Sequence, residues 1–323
     1  MQRVPLCDSK TTSTPDFPMG WYSVARAHEL NAGDVIRVHA LDRELVVYRT
    51  ESGVARVHDA FCPHLGAHLG VNGKVVGEAI QCPFHGWQFG AGGECVKIPY
   101  CEDIPSRARV IDWHACETNG EIYLWYHPCN EAPQWQVPTI EELGNEHWTA
   151  PRYAEFEVPT HVQDIAENSC DPEHFQYVHL QENTPPSTVT IDDGDGRTIH
   201  LRSDMADAAI PGKLHAQMFQ PGLAVVRNVY GPGAEMTVYN SSQPIDRNTT
   251  LLRWTLCVRN EIADMVGDSA MDGIIAGLQQ DYPIWGNKVH RRRPILCKGD
   301  ESLVLFRKWV RQFYLPDAEE TAA

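Results

Sequence analysis

The chain has 323 residues, 42 % of them apolar and 22 % charged, which is enough material for two cored domains. A formal net charge of −16 excludes a nucleic-acid partner, because phosphate binding needs a basic face. No window approaches the ~18 apolar residues of a membrane span, so no integral membrane segment is expected.

In chain order, residues 1–17 contain no apolar run resembling a signal-peptide core. They read as a loose tail on a cytoplasmic protein. Ten cysteines in such a chain point to ligand or free-thiol roles rather than to disulfides. Residues 18–130 read as a small all-β domain. "DVIRVHA", "ELVVYRT" and "VARVHDAF" alternate or run apolar between turn residues. Asn119-Gly120 sits between two apolar runs, a hairpin signal. "PCNEAPQWQVP", 128–138, is Pro-rich and reads as a linker.

Residues 131–323 change character. "DIAENSCDPEHFQYVHL" reads as helical, followed by longer strands in "TVTIDDGDGRTIHLRSDM", "LAVVRNVYG", "AEMTVYNSS" and "TLLRWTLCVRN". In "SAMDGIIAGLQQDYPIWGNKVH", Met271, Ile274, Ile275, Leu278, Tyr282 and Trp285 keep a helical period. The fold class is therefore α+β: an all-β domain followed by a mixed sheet with flanking helices. Arg291-Arg292-Arg293 is either a solvated face or a docking patch for an acidic electron donor.

Two loops of the first domain carry chemistry. "FCPHLGAHLG" and "CPFHGWQFG" give Cys62-x-His64, then Cys82-x-x-His85. Zinc prefers paired Cys and paired His spacings. Here each loop supplies one Cys and one His. That suits a [2Fe–2S] cluster with thiolates on one iron and imidazoles on the other. Gly66, Gly70 and Gly86 let backbone N–H groups approach the sulfides. Two matched loops argue against chance Cys/His in turns. His68 falls outside the pattern and reads as structural.

"ENSCDPEHFQYVHL" supplies Asp171, His174 and His179. Two imidazoles and a carboxylate would make a facial triad for non-heme Fe(II), with positions left open for O₂. Asp171 and His174 share a helical face. His179 lies five beyond His174, about 140° around an ideal helix, so a shared metal implies a distorted turn. Asp281 follows Leu278 by three and Ile274 by seven, on the apolar face of its helix, where a carboxylate wants a cation. Pro283 is expected to kink that helix. The competing readings are satisfied core histidines, Asp281 as a cap or ion-pair partner, and Asp171 as the carboxylate ligand.

"CPHLGAHLG … CPFHGWQFG" resembles the Rieske motif of Rieske non-heme iron oxygenases. Respiratory-chain Rieske proteins have a further cysteine in each loop, where this chain has Ala67 and Phe84. D-x-x-H-x-x-x-x-H resembles the iron motif of the same oxygenases. The resemblance covers residues 18–315 and is nearest to the steroid branch, the 3-ketosteroid 9α-hydroxylase oxygenases and Neverland-type cholesterol 7-desaturases. "GGECVKIPYCEDIP", "NGEIYLWYHP", "PQWQVP", "HVQDIAENSCDPEHF" and "RKWVRQFY" carry it.

The resemblance implies a Rieske domain holding its cluster through Cys62, His64, Cys82 and His85. It implies a catalytic domain of the helix-grip type holding Fe²⁺ through His174, His179 and Asp281. It makes Asp171 an electron bridge between subunits of a homotrimer, and places Asn168 near the iron, where a helix-start role is the alternative. An NAD(P)H-dependent flavin or ferredoxin reductase would supply electrons, since no G-x-G-x-x-G opens a helix after a strand. The expected reaction is O₂-dependent hydroxylation or desaturation of a sterol or 3-ketosteroid. The alternatives are aromatic-acid dioxygenation or O/N-demethylation, a plain electron-transfer Rieske protein, and a redox sensor.

Overall fold

The computed structural model of the chain describes residues 15–315 apart from Asp207 and Ala209; the side chains of 265–271 are also outside the description. Of the loose tail expected over 1–17, residues 1–14 lie outside the described residues, as does the apolar position of Met271, while 15–17 are held in place, with Phe17 buried and Asp16 paired with Arg247. The chain divides into two compact units, residues 19–139 and residues 140–315 with 15–18.

The first unit is built of short antiparallel strands in three sheets. Its strands are β1 (Gly20–Arg26), β2 (Val35–Ala40), β3 (Arg43–Arg49), β4 (Ala55–Asp59), β5 (Lys74–Val76), β6 (Ala79–Gln81), β7 (Gln88–Phe89), β8 (Cys95–Lys97), β9 (Asp112–Trp113), β10 (Ala115–Thr118) and β11 (Glu121–Tyr126). The sheets run β1-β11-β10, β2-β3-β4-β9 and β5-β6-β7-β8. Asn119 (φ 53°) and Gly120 (φ 77°) turn the chain from β10 into β11. Both need positive φ, as a tight hairpin of this hand requires. Residues 128–138 contain no strand or helix but are not a free linker. They belong to this unit, with Trp135 packed edge-on to Trp125 at 4.5 Å and its carbonyl accepting from Trp21 Nε1 at 2.8 Å. Burying two indoles outweighs the Pro-rich composition that reads as linker.

The second unit is a strongly antiparallel sheet with helices on one face. Its elements are β12 (Arg152–Val158), α1 (Val162–Asn168), α2 (His174–Tyr177), β13 (Ser187–Ile191), β14 (Ile199–Met205), β15 (Gly212–Gln220), β16 (Leu223–Gly231), β17 (Ala234–Ser241), β18 (Gln243–Asp246), β19 (Thr249–Val258), α3 (Asn260–Gln279), α4 (Tyr282–Trp285) and α5 (Glu301–Val310). The sheet order is β12-β19-β17-β16-β15-β14-β13, with β18 also on β19. Strand alternation sorts the two faces. Val158, Met236, Val238, Leu252, Trp254, Leu256 and Val258 pack with Ile165 of α1, Ile262 of α3 and Trp285 of α4. On the opposite face, Arg227 and Thr237 bond to Glu142, and Arg253 to Glu155 and Gln243.

The helical stretch expected over 164–180 is broken. α1 ends at Asn168 and α2 is a single turn from His174 to Tyr177. The helix carrying Asp281 stops rather than kinks. α3 ends at Gln279, and α4 restarts with Pro283 in its first turn. A continuous helix would drive the Pro283 ring into the carbonyl of Gln279.

Candidate metal centres

In the first unit the two Cys/His loops share one backbone design. Cys62 N–H donates to the Ala67 carbonyl (2.9 Å) and Cys82 N–H to the Trp87 carbonyl (2.7 Å). Each Cys carbonyl accepts the N–H of a glycine four residues on, Gly66 (2.9 Å) and Gly86 (3.1 Å). Those glycines sit at φ 75° and 72°, a conformation costly for any side chain. β4 leads into the first loop, and β6 and β7 bracket the second.

The loops meet at their cysteine and histidine side chains. Both cysteines are buried in one apolar cluster with Trp87 and Phe89. Burial, reinforced by the adjacent Cys82 thiol, pushes the Cys62 thiol up to about 11. Two neighbouring buried thiols become thiolates when a bound cation replaces their protons, which are released to solvent. The His64 and His85 rings stand edge to face at 4.7 Å. His64 is stacked on Trp87 (4.6 Å, 8°), and Trp87 Nε1 donates to the Tyr100 hydroxyl at 2.8 Å. Two thiols and two imidazoles on paired loops fit a Rieske cluster by donor chemistry. His68 stands apart: its Nδ1 accepts from Gly70 N (3.0 Å) and its Nε2 meets Glu44 (3.2 Å), a structural role.

In the second unit, His174, His179 and Asp281 offer ligand atoms all within 4.8 Å of one another. The distortion expected between the two histidines is present: α2 stops at Tyr177, and Leu180 takes φ 54°. Each imidazole is oriented through its other nitrogen. His174 Nδ1 donates to the Asp171 carbonyl, and His179 Nδ1 to the Gln280 side-chain oxygen at 2.9 Å. That fixes the tautomer and leaves both Nε2 lone pairs facing Asp281, at 3.9 and 3.6 Å.

Asp281 occupies the break between α3 and α4 and is 2 % exposed. Burial raises its carboxyl above the usual range, against the pull of both histidines and the Asn168 amide. A carboxyl in that condition is held for a cation. Asn168, at the end of α1, reaches Asp281 Oδ1 (3.2 Å) and His174 Nε2 (3.3 Å) with its amide nitrogen. It is a partner of Asp281 and His174 at the end of a helix rather than a helix-start residue.

Asp171 is not among the converging atoms. Its carboxylate accepts the Glu173 N–H at 3.1 Å, and burial raises its carboxyl. It touches the triad through His174 alone: its backbone carbonyl accepts from His174 Nδ1, and its carboxylate accepts the His174 backbone N–H. Sequence patterning did not single out Gln280 or Trp87. Gln280 contacts His179 across 101 positions, which no local period reveals.

Two family matches cover most of the chain. Residues 20–108 match the Rieske [2Fe-2S] domain, and residues 124–314 match the 3-ketosteroid 9alpha-hydroxylase C-terminal domain. A cluster-bearing β unit joined to a helix-flanked sheet of this kind defines a Rieske-type oxygenase, an oxidoreductase. Within that class the chain belongs to the 3-ketosteroid 9alpha-hydroxylase family, whose characteristic domain spans more than half of it.

The chain is 31 % identical to cholesterol 7-desaturase of Xenopus laevis over 337 residues, covering 93 % of this chain and 72 % of that protein. It is 28 % identical to the oxygenase component of 3-ketosteroid-9-alpha-monooxygenase of Rhodococcus rhodochrous over 326 residues, covering 94 % and 85 %. Dicamba monooxygenase bound to dicamba shares the fold, with a TM-score of 0.73 and 21 % identity over 97 % of this chain and all of that one.

Proposed function

We propose that the chain is the terminal oxygenase of a multicomponent system that hydroxylates or desaturates a ring carbon of a sterol or 3-ketosteroid. The observation that carries this is the convergence of His174, His179 and Asp281 in a chain that also has a Rieske domain. A cluster alone passes electrons on; a second site with two imidazoles and one carboxylate gives them a destination.

In this reading Cys62, Cys82, His64 and His85 hold the [2Fe–2S] cluster, and His174, His179 and Asp281 hold Fe²⁺. When bound, the mononuclear iron supplies O₂ activation and the cluster supplies single electrons drawn from an NAD(P)H-dependent reductase. Hydroxylation places one oxygen atom in a C–H bond and releases the other as water, consuming two electrons and two protons. Desaturation removes two hydrogens and releases both oxygen atoms as water.

The protein's own residues orient these parts. The Asp171 carbonyl and Gln280 aim the two imidazoles, and Asn168 fixes Asp281 Oδ1. The Asp171 carboxylate serves as the electron bridge to a neighbouring subunit, which requires a closed ring; the resemblance to Rieske oxygenases makes that ring a homotrimer. The working location is cytoplasmic.

Substrate class follows from what the helix-facing side of the sheet offers. The core on that side is apolar, and Arg152, which shares that face with Ala154 and Phe156, is bonded to Asp272 of α3. An aromatic acid would need a free cation there, yet Arg227 and Arg253 lie on the other face, bonded to Glu142 and to Glu155 and Gln243. Arg202 bonds to Thr190 and Arg259 to Glu261. A sterol is bound chiefly by apolar burial, worth ~25 cal/mol per Å². The two relatives are named for steroid substrates, which favours the same class here.

Metal analysis and a substrate panel test the proposal. The protein should carry sulfide, Rieske-type EPR and one iron per chain beyond the cluster. The reduced protein with O₂ should convert steroids in preference to aromatic acids or alkylamines. Turnover confined to charged aromatic acids would reject the steroid assignment, and absence of the extra iron would reduce the chain to an electron carrier.

A further inference from the structure

One buried ionic cluster in the second unit has no part in the chemistry above. Asp164 is 3 % exposed. His290 Nδ1 lies 3.3 and 3.4 Å from its two carboxylate oxygens, and Lys288 Nζ lies 3.2 Å away. Burial opposes ionisation of this carboxyl, but His290 and Lys288 hold it down to about 2, so it is an anion at any working pH. Apolar side chains of similar size would pack such a site about as well or better. What an ion cluster adds is direction, since it is satisfied in only one register.

The register concerned is that of the segment bearing Asp281. Asp164 and Asn168 are four apart on α1 and therefore on one face. Asn168 holds Asp281 at the start of residues 281–290, and Asp164 holds His290 at their end. Between them Gly286 passes so close to Pro159, just before α1, that an added Cβ would stand 3.2 Å from the Pro159 ring. We infer that Asp164 is a positioning residue for Asp281: α1 grips residues 281–290 at two points one helical turn apart, and this grip sets where the carboxylate stands. The inference rests on the reading of Asp281 as an iron ligand.

Fe(II) affinity at the mononuclear site tests it. Fe(II) is titrated anaerobically into full-length protein stripped of mononuclear iron with its cluster intact, and the nitric oxide adduct is read by EPR. Asp164→Asn should weaken Fe(II) binding about 10-fold, the low end of the range for a ligand's direct partner, because it acts on Asp281 only through residues 281–290. It should also change the EPR line shape, with Rieske absorption unaltered. Glu142→Gln is the control. It breaks the ion pair with Arg227 on the other face of the sheet, away from α1 and residues 281–290. It should lower thermal stability and leave Fe(II) affinity within twofold of wild type.

If Asp164→Asn does not fold, Gly286→Ala and Lys288→Met loosen the same grip without stranding a buried imidazole, and each should weaken Fe(II) binding. The inference is overturned if these variants bind Fe(II) within twofold of wild type, or if Glu142→Gln loses as much affinity as Asp164→Asn. A wild-type chain that takes up no Fe(II) overturns the metal reading itself, and this inference with it.

Discussion

Both histidines of the proposed iron site are held through Nδ1, so their loss and the loss of their holders should differ. His174→Ala, His179→Ala or Asp281→Ala removes a donor atom. Each should eliminate mononuclear iron by metal analysis while the Rieske spectrum stays. Retention of full iron in Asp281→Ala would remove it from the ligand set. Asp171→Asn should behave differently. The carbonyl that accepts from His174 is backbone, and the amide oxygen of Asn can still accept the Glu173 N–H. Both metal sites should survive, and steady-state turnover should fall to a few per cent or less because the bridging carboxylate is gone. Parallel loss of iron would make Asp171 a holder of the site instead. The residues named from spacing were legible because Cys, His and Asp in those patterns have few other uses. Gln280, Asp164 and His290 were not, since their partners lie 101 and 126 positions away and leave no local trace.

At the scale of the element, two irregular segments make the sites. The break between α3 and α4 frees Asp281 to turn toward the histidines, and the turn after α2 brings His179 round beside His174. Pro283 announced a disturbance in the sequence, but whether it bends or ends a helix depends on the packing of α4, which no window shows. The cluster loops were easier to read, because the glycines that permit them are in the motif. Gly86 illustrates the cost of changing them. Its φ of 72° disfavours a side chain, and a Cβ there would stand 2.9 Å from the Pro99 ring. Gly86→Ala should cost about 1–2 kcal/mol in the first unit and lower cluster occupancy, seen as reduced visible absorption and Tm. Gly66 has a similar φ of 75° with no atom within 4 Å of an added Cβ, so Gly66→Ala should be the milder change. Equal effects would mean that the close approach to Pro99 does not matter.

At the scale of the whole molecule, acid sensitivity should come from buried neutral histidine. His161 is 2 % exposed, and burial pushes its imidazole down from 6.5 to about 4. Between those values the unfolded chain binds a proton that the folded chain does not, so stability falls as pH drops from about 6.5 to 4, by on the order of 3 kcal/mol. Urea unfolding at pH 7.5 and pH 5 should show about 2 kcal/mol of this loss, and His161→Gln should flatten it. An unchanged pH slope in that variant would assign the effect elsewhere. The two-part organisation was visible in the change from short strands to longer strands and helices. The placement of residues 128–138 was not, because a Pro-rich stretch reads as linker until Trp135 finds Trp125.

The central claim is that electrons stored in the first unit are used for oxygen chemistry on an apolar substrate in the second. A single-turnover experiment tests it most directly. Protein with both metal sites filled is reduced, freed of reductant, and exposed to ¹⁸O₂ with a sterol or 3-ketosteroid, and the products are read by mass spectrometry. The expected result is cluster reoxidation coupled to a steroid that carries one ¹⁸O atom or one new ring double bond. Reoxidation at the same rate with and without steroid, and no oxidised steroid in any vial, would contradict it.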